Sequence, residues 1–218
     1  EVHSPIRIGP GTRRRARFGA RATAKGVVLG FKAKRSRWLV DVTECPVVRT
    51  EIVALLPQLR TVLSYCLEAG DGAEVSVVIV DSGLDVDIDT TSTLDLAKRE
   101  RLAEFATSSE LARLTWAGEL VVQRHLPRVV FAEIAVNLPT GVFLQPTKAG
   151  ESVLTEFVST ALDFATTVAD LFAGCGTFSL PLAMAGKRVR AVDAHNGQVR
   201  ALKAAAQDPR LGARITTE

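Results

Sequence analysis

The chain has 218 residues, of which 47% are hydrophobic, and its formal net charge is +3. This hydrophobic fraction excludes a disordered tail, and every apolar run is far shorter than the roughly 20 residues that a membrane-spanning helix needs. The start of the sequence lacks the pattern of a secretory signal, so we expect a cytoplasmic protein without membrane contact. Three widely spaced cysteines with no CxxC pair do not indicate a disulfide framework.

Charge is unevenly distributed along the chain. Residues 7–37 carry eleven lysines or arginines and no acidic residue, whereas residues 68–110 carry eleven acidic residues and three basic ones. A dense basic segment of this kind favours a polyanionic partner such as RNA.

The first predicted element is a half-buried strand in "RRRARFGARAT". Strand side chains point alternately to two faces, so alanines and Phe18 are expected to face the core while arginines face solvent. Two further strands, "GVVLGFKA" and "RWLVDV", flank the basic turn "KAKRSR" and complete an antiparallel meander. The residues predicted to bind RNA are Arg13, Arg15, Arg17, Arg21, Lys32, Lys34 and Arg35.

The middle of the chain predicts a helix followed by a hairpin. From Glu51 the apolar residues recur at helical spacing, which predicts a helix that ends near Gly70 and buries Cys66. The segment "EVSVVIVDSGLDVDIDT" predicts a hairpin with alternating acids on its solvated face, a linear arrangement that does not surround a metal ion. These acids are Asp85, Asp87 and Asp89.

The remaining elements predict two domains. A second helix in "TLDLAKRERLAEFATSS" and several short strands complete an α+β domain over residues 1–140, with helices on one side of a sheet. From residue 141 to 218 strands and helices alternate, which predicts the beginning of a parallel, doubly wound α/β domain.

The segment "DLFAGCGTFSLPLA" joins a predicted strand to a helix through a Gly-Cys-Gly turn. Glycine lets the backbone approach a ligand closely, and Asp193 ends the next strand, where it can accept hydrogen bonds from ribose hydroxyls. Nicotinamide dinucleotides and S-adenosylmethionine share this geometry, and a purely structural turn is the third alternative. Ser179 replaces the third glycine of the dinucleotide fingerprint, which favours S-adenosylmethionine.

Four separated stretches resemble the bacterial RNA uracil-5-methyltransferases, particularly their iron–sulfur branch, which acts on 23S ribosomal RNA. They are "RRRARFGA", "GFKAKRSRWLVDVTECPVV", "FLQPTKAGESVL" and "DLFAGCGTFSLPLA". The resemblance implies a monomeric enzyme with an α+β RNA-binding region, followed by an incomplete Rossmann-like class I methyltransferase domain. It implies S-adenosylmethionine-dependent methylation of uracil C5 in RNA, with ribosomal RNA expected first.

The resemblance also implies individual cofactor contacts. They are Gln145, Phe172, Gly174, Gly176, Thr177 and Asp193. Three positions depart from the family pattern: Thr177 and Thr147 stand where the family usually has Asn, and Asp193 stands where it usually has Glu.

Cys45 aligns with the last of four cysteines that hold a [4Fe-4S] cluster in the iron–sulfur branch. The other three would precede Glu1, and a lone cysteine cannot hold a cluster. Cys45 is therefore either a cluster ligand of a longer protein or a core residue. Cys175 has no His or Lys near it in sequence to lower its pKa, so we expect it to be a bystander in the turn.

In this family a cysteine thiolate adds to C6 of uracil, C5 then takes up the methyl group, and a glutamate removes the C5 proton. The resemblance places both catalytic groups beyond Glu218, so we expect no catalytic residue in this chain, a sheet of about three parallel strands with an uncovered edge, and a longer protein. Two alternatives are a transfer RNA uracil-5-methyltransferase, a branch without the cluster, and a non-catalytic RNA-binding module that retains the cofactor fold.

Overall fold

The computed structural model describes residues 4–36 and 38–218. The predicted basic turn "KAKRSR" and the strand after it meet at Arg37, which lies outside the described residues. None of the described helices is both long enough and apolar enough to cross a membrane.

The chain divides into two compact units. The first runs to Ile79, resumes over residues 84–124 and includes residues 146–150, and the second comprises residues 80–83, 125–145 and 151–218. Residues 125–145 group with the second unit in this division, and the domain boundary predicted at residue 140 stays a prediction.

Seven strands form the main sheet, and nearly all their residues belong to the first unit. They are β1 (Arg15–Thr23), β2 (Gly26–Lys32), β3 (Leu39–Asp41), β4 (Gly72–Val80), β5 (Gly83–Thr90), β6 (Leu111–Trp116) and β7 (Glu119–Gln123). Their order is β3-β2-β1-β4-β5-β6-β7, in which β1 pairs antiparallel with both β2 and β4, and β5 pairs parallel with β6. The predicted β1-β2-β3 meander is confirmed.

The core of this unit lies between the sheet and two helices, α1 (Thr50–Cys66) and α2 (Leu96–Ser108). The predicted alternation of β1 is confirmed, since Phe18 is buried while Arg17 and Arg21 are exposed. Phe18 stacks on Phe31 of β2 with ring centroids 5.0 Å apart. Burying one such side chain contributes about 2–3 kcal/mol, which fixes the basic face of β1 on the opposite side of the sheet from the helices.

The acids of β5 differ from the prediction of a solvated row. Asp85 is buried, and its carboxylate accepts hydrogen bonds from Arg113 Nε at 2.8 Å and Nη2 at 2.6 Å. Burial raises the pKa of Asp85, and the Arg113 guanidinium opposes that rise. Asp87 accepts a hydrogen bond from the Thr115 hydroxyl. The prediction is wrong for Asp85 because its partner comes from a strand 28 residues later in the chain.

The second unit contains a small hairpin and a three-stranded parallel sheet. Its elements are β8 (Arg128–Phe131), β9 (Ile134–Asn137), α3 (Lys148–Ala161, whose first residues belong to the first unit), β10 (Thr167–Leu171), α4 (Ser179–Met184), β11 (Arg188–Val192), α5 (Asn196–Ala205) and β12 (Ile215–Thr217). The parallel sheet has the order β10-β11-β12, which confirms the predicted alternation of strands and helices.

The outer strands of the parallel sheet are β10 and β12, and among the described residues each has one strand neighbour, β11. Leu171 at the end of β10 is exposed, as are the nearby residues Phe157 and Phe164 of the same unit. The three parallel strands with unpaired outer edges agree with the predicted three-stranded sheet with an uncovered edge.

Candidate cofactor site and nucleic-acid interface

The backbone after β10 adopts left-handed conformations at the start of the glycine turn. Phe172 has φ 59°, Gly174 has φ 59° and Gly176 has φ 98°. A residue with a side chain pays about 1–2 kcal/mol in this conformation, and such strain concentrates at ligand sites. The Phe172 side chain is also 88% exposed, so burial does not offset the strain. Phe172 thus combines a strained backbone with an exposed side chain, and its contact with a cofactor stays a prediction.

The two glycines of the turn are required for different reasons. A Cβ on Gly176 would lie 2.6 Å from Leu202 Cδ1 of α5 and 3.0 Å from Leu180 of α4, so helix packing leaves no room for a side chain. A Cβ on Gly174 would lie 3.0 Å from Gln198 Oε1. Gly176 therefore holds the helices close to the turn, and Gly174 keeps the backbone open beside a polar side chain.

Asp193 closes the turn from the end of β11. Its Oδ2 accepts the Gly174 N–H at 2.9 Å, and its Oδ1 accepts the His195 N–H at 2.8 Å. Each carboxylate oxygen can accept two hydrogen bonds, so each retains an acceptor position. The structure thus brings together two of the predicted cofactor residues, Gly174 and Asp193.

A second carboxylate, Asp170 of β10, also lies beside the turn and was not among the predicted site residues. Its Oδ2 accepts a hydrogen bond from the Ser179 hydroxyl at 2.6 Å, and Ser179 is buried. Burial raises the pKa of Asp170, and the negative charge of Asp193 raises it further, while the Ser179 bond opposes the rise. The signal that could have identified Asp170 is an acid at the end of a strand directly before a glycine turn.

This arrangement restricts the class of ligand. A pyrophosphate binds where backbone N–H groups are free and the local potential is positive. Here the Gly174 N–H is already bonded to a carboxylate, and both Asp170 and Asp193 make the local potential negative. The turn therefore suits a ligand with ribose hydroxyls and a positive charge better than it suits a dinucleotide.

Two other predicted cofactor residues, Thr177 and Gln145, are partly accessible to solvent. Thr177 is half-buried within the turn, and Gln145 is half-buried in the same unit, directly after buried Leu144. Their contacts with a cofactor stay predictions. Cys175 is 3% exposed, and burial raises its pKa to about 12, which favours the expected role of a bystander.

The basic face of β1 is partly neutralised. Lys32 Nζ lies 2.9 Å from Glu74 Oε1 on β4, and Arg17 forms an ion pair with the same carboxylate. Arg13 Nε donates to the Arg15 carbonyl at 3.0 Å. Burial lowers the pKa of Arg15, and the charges of Arg13 and Arg17 lower it further. Glu74, from the acidic segment 68–110, thus lies among the predicted RNA-binding residues.

The remaining predicted RNA contacts differ in their surroundings, because the charge of Arg21 also lowers the pKa of the Asp71 carboxyl. Arg21, Lys34 and Arg35 are exposed, and none of them forms an ion pair with another residue in the described parts of the chain. These three side chains are therefore the most available for contact with phosphates.

Cys45 lies in the first unit, half-buried and packed against the hydrophobic core. Within residues 4–36 and 38–218, no group of three or more His, Cys, Asp or Glu side chains could hold a metal ion. Its role as a cluster ligand stays a prediction for a longer protein.

The fold defines the class of protein. The structure aligns with the tRNA (uracil-54, C5)-methyltransferase of Pyrococcus abyssi, which was solved in complex with S-adenosyl-L-homocysteine, with a TM-score of 0.70 at 15% identity. The alignment covers 96% of this chain and 55% of that chain. This likeness shows the fold: the strands and helices of the second unit are arranged as in a Rossmann-like class I methyltransferase fold. No protein-family model matches the chain.

Sequence relatives identify the family. A Mesorhizobium japonicum protein named as an uncharacterized RNA methyltransferase is 36% identical over 213 residues, which cover 98% of this chain and 52% of the relative. The 23S rRNA (uracil(1939)-C(5))-methyltransferase RlmD of Halomonas elongata is 32% identical and covers 89% and 44%. The chain spans about half the length of these relatives. It belongs with them to the RNA methyltransferases, which confirms the resemblance.

Proposed function

We propose that the protein methylates C5 of uracil in RNA and binds S-adenosylmethionine at the glycine turn. The observation that carries the proposal is the Asp193 carboxylate bonded across the turn to Gly174, beside a second acid, Asp170. The names of the relatives support RNA as the substrate class. S-adenosylmethionine supplies, when bound, an electrophilic methyl group on a positively charged sulfur.

The residues of the turn have separable roles in this proposal. Asp193 accepts hydrogen bonds from ribose hydroxyls at the acceptor positions left open by its backbone bonds. Asp170 and Asp193 together stabilise positive charge beside the turn. The exposed ring of Phe172 offers a stacking surface for an adenine. Gln145 and Thr177 are assigned as further polar contacts, following the family resemblance.

The thiolate that adds to uracil C6 is assigned to a residue outside this chain. An attacking thiol needs an accessible sulfur with a lowered pKa. Burial instead raises the pKa of Cys66 to about 11 and that of Cys175 to about 12. Cys45 packs against the core of the first unit. We assign the general base outside this chain as well, on the resemblance.

Ribosomal RNA is the proposed substrate, because a relative at 32% identity is named as a 23S rRNA methyltransferase. A transfer RNA substrate is the second candidate. A [4Fe-4S] cluster with Cys45 as one ligand is proposed for a longer protein, and iron analysis of that protein would test it.

Binding of S-adenosylhomocysteine to the 218-residue chain tests the cofactor site. We expect isothermal titration calorimetry to show binding to the wild type, and Asp193→Ala to weaken it about 10- to 100-fold because charge-assisted hydrogen bonds are lost. The matched control is Asp163→Ala, which removes an exposed acid of the same unit away from the turn. Equal affinity of the two variants, or tighter binding of NADH than of S-adenosylhomocysteine, would contradict the proposed site.

A methyl-transfer assay tests the reaction. A longer protein that includes this chain should transfer labelled methyl groups from S-adenosylmethionine to uracil C5 of a 23S rRNA fragment. Cofactor binding without transfer to any RNA would favour the non-catalytic module instead.

A further inference from the structure

Trp38 presents an unusually exposed aromatic surface. Its side chain is 82% exposed, whereas Trp116 is fully buried and donates its indole N–H to the Ser92 carbonyl at 2.9 Å. The backbone around Trp38 is nevertheless ordered by hydrogen bonds, since its N–H donates to Ser36 Oγ and its carbonyl accepts the Ala33 N–H. A large apolar ring held in water on a fixed backbone marks an interaction site.

A groove of about 830 Å³ runs beside Trp38 on the outer face of the sheet. Two glycines let β3 approach its neighbours: Gly19 of β1 and Gly30 of β2 are register partners, and a Cβ on either would collide with β3. Because both side chains are absent, β3 approaches closely, Leu39 lies over Gly19, and Trp38 lines the groove. The groove therefore combines the aromatic wall of Trp38 with Leu39 and with the small residues Gly19 and Gly72.

The charges in the groove are mixed. Lys32 and Arg21 line it together with Glu74 and Asp89, and Glu74 is ion-paired with Lys32 and with Arg17. A phosphate would be repelled by the two carboxylates, whereas a nucleobase is neutral and offers N–H donors to carboxylate acceptors. The part of the groove beside Glu74 and Asp89 thus suits a base, and phosphates suit the exposed cations Arg21, Lys34 and Arg35.

Exposed cations lie close to Trp38 in sequence or line the same groove. Lys34 and Arg35 lie in the turn just before Trp38, and Arg21 lies at the groove, all without ion pairs in the described parts of the chain. An aromatic platform flanked by basic side chains is the arrangement that binds single-stranded nucleic acid by stacking. Bases of an A-form duplex are already stacked on one another and are not available to such a platform.

We infer that this groove binds a single-stranded segment of RNA, with one base stacked on the indole of Trp38 and the flanking phosphates on Arg21, Lys34 and Arg35. The inference rests on the proposed function in taking RNA as the partner. It adds a base-binding site to the first unit, whereas the cofactor site belongs to the second.

The two tryptophans allow a direct test with the 218-residue chain. A uridine-rich single-stranded RNA of about ten nucleotides should quench the emission of exposed Trp38, while buried Trp116 stays unchanged. An oligonucleotide of the same length with abasic sites should bind through its phosphates without quenching. Trp38→Phe should abolish the quenching signal and retain most of the affinity, because a phenyl ring still stacks.

Fluorescence anisotropy with labelled RNA measures the energetic contribution. Trp38→Ala should weaken binding about 5- to 150-fold, the range of a single base–aromatic stack, without changing the salt dependence. Arg21→Ala should instead reduce the salt slope by about 0.7, the value for one phosphate of a single strand. Tyr65→Ala is the matched control, because Tyr65 is a half-exposed aromatic on α1, away from the groove.

The outcomes separate this inference from the proposed function. RNA binding without Trp38 quenching, together with unchanged affinity of Trp38→Ala, would overturn the groove and leave the proposed function in place. Equal quenching by duplex RNA would also overturn it. Absence of any RNA binding by the wild-type chain would overturn both the groove and the RNA part of the proposed function.

Discussion

The glycine turn and the outer face of β1 and β2 differ in how far along the chain their partners lie. In the turn, Asp170 bonds to Ser179 nine residues away and Asp193 bonds to Gly174 over 19 residues. On the sheet face, Lys32 meets Glu74 over 42 residues. A short sequence pattern therefore shows most of the chemistry of the turn. The charge of the sheet face depends on which strand pairs with which.

The buried pair on β5 and β6 is the strongest test of long-range pairing. Arg113→Leu should lower the free energy of unfolding by about 3–5 kcal/mol, because Asp85 is left buried without its partner. Urea denaturation monitored by circular dichroism measures this change. A double variant with leucine at both positions should regain most of the lost stability, and a loss equal to that of the single variant would contradict the explanation.

A substitution in the glycine turn tests the contacts between residues that are close in sequence. Gly176→Ala should cost about 2–4 kcal/mol, because a positive φ is combined with a collision against Leu202. Gly186→Ala is the matched control, since Gly186 has φ 90° but open space around its Cβ position, and it should cost about 1–2 kcal/mol. Thermal unfolding of the two variants compares them. Equal destabilisation would mean that strain alone, without helix packing, requires glycine at residue 176.

Substitution of Glu74 tests how far this carboxylate of β4 neutralises the basic face of β1. Glu74→Gln should release Arg17 and Lys32 and raise the affinity for single-stranded RNA several-fold at low salt. Two additional phosphate contacts should steepen the salt dependence by about 1.4 units. Anisotropy titrations over a range of KCl concentrations measure both effects. Glu119→Gln, which breaks an exposed pair with Arg99, should leave both unchanged, and the same result for Glu74→Gln would contradict neutralisation.

The smallest effect that we expect is a difference in the rates at which iodoacetamide labels the three cysteines. At pH 8 a thiol with a pKa of about 12 is a thiolate in about one molecule in ten thousand, so Cys175 should resist iodoacetamide in the folded chain. Cys66, whose pKa burial raises to about 11, should resist it as well, and Cys45 should react first. Mass spectrometry of peptides measures the order of labelling, with denatured chain as the control. Rapid labelling of native Cys175 would contradict its expected role as a bystander.

Periodicity was sufficient to predict most elements of the fold. The alternation of β1, the apolar stripe of α1 and the strand–helix rhythm after residue 145 depend on local side-chain spacing, and the structure confirms them. The division between the two units was not predictable in the same way, because residues 125–145 group with the second unit through contacts distant in sequence.

The sequence by itself indicated a cofactor turn, because Gly174, Gly176 and Asp193 define a cofactor-binding pattern over a short stretch, and Ser179 in place of a third glycine favoured S-adenosylmethionine. Only the tertiary structure decided the burial of Asp85, the ion pairs of Glu74 with two cations and the exposure of Trp38 beside a groove. The physical reason is that local spacing fixes which face a side chain occupies, whereas strand pairing fixes what that face meets.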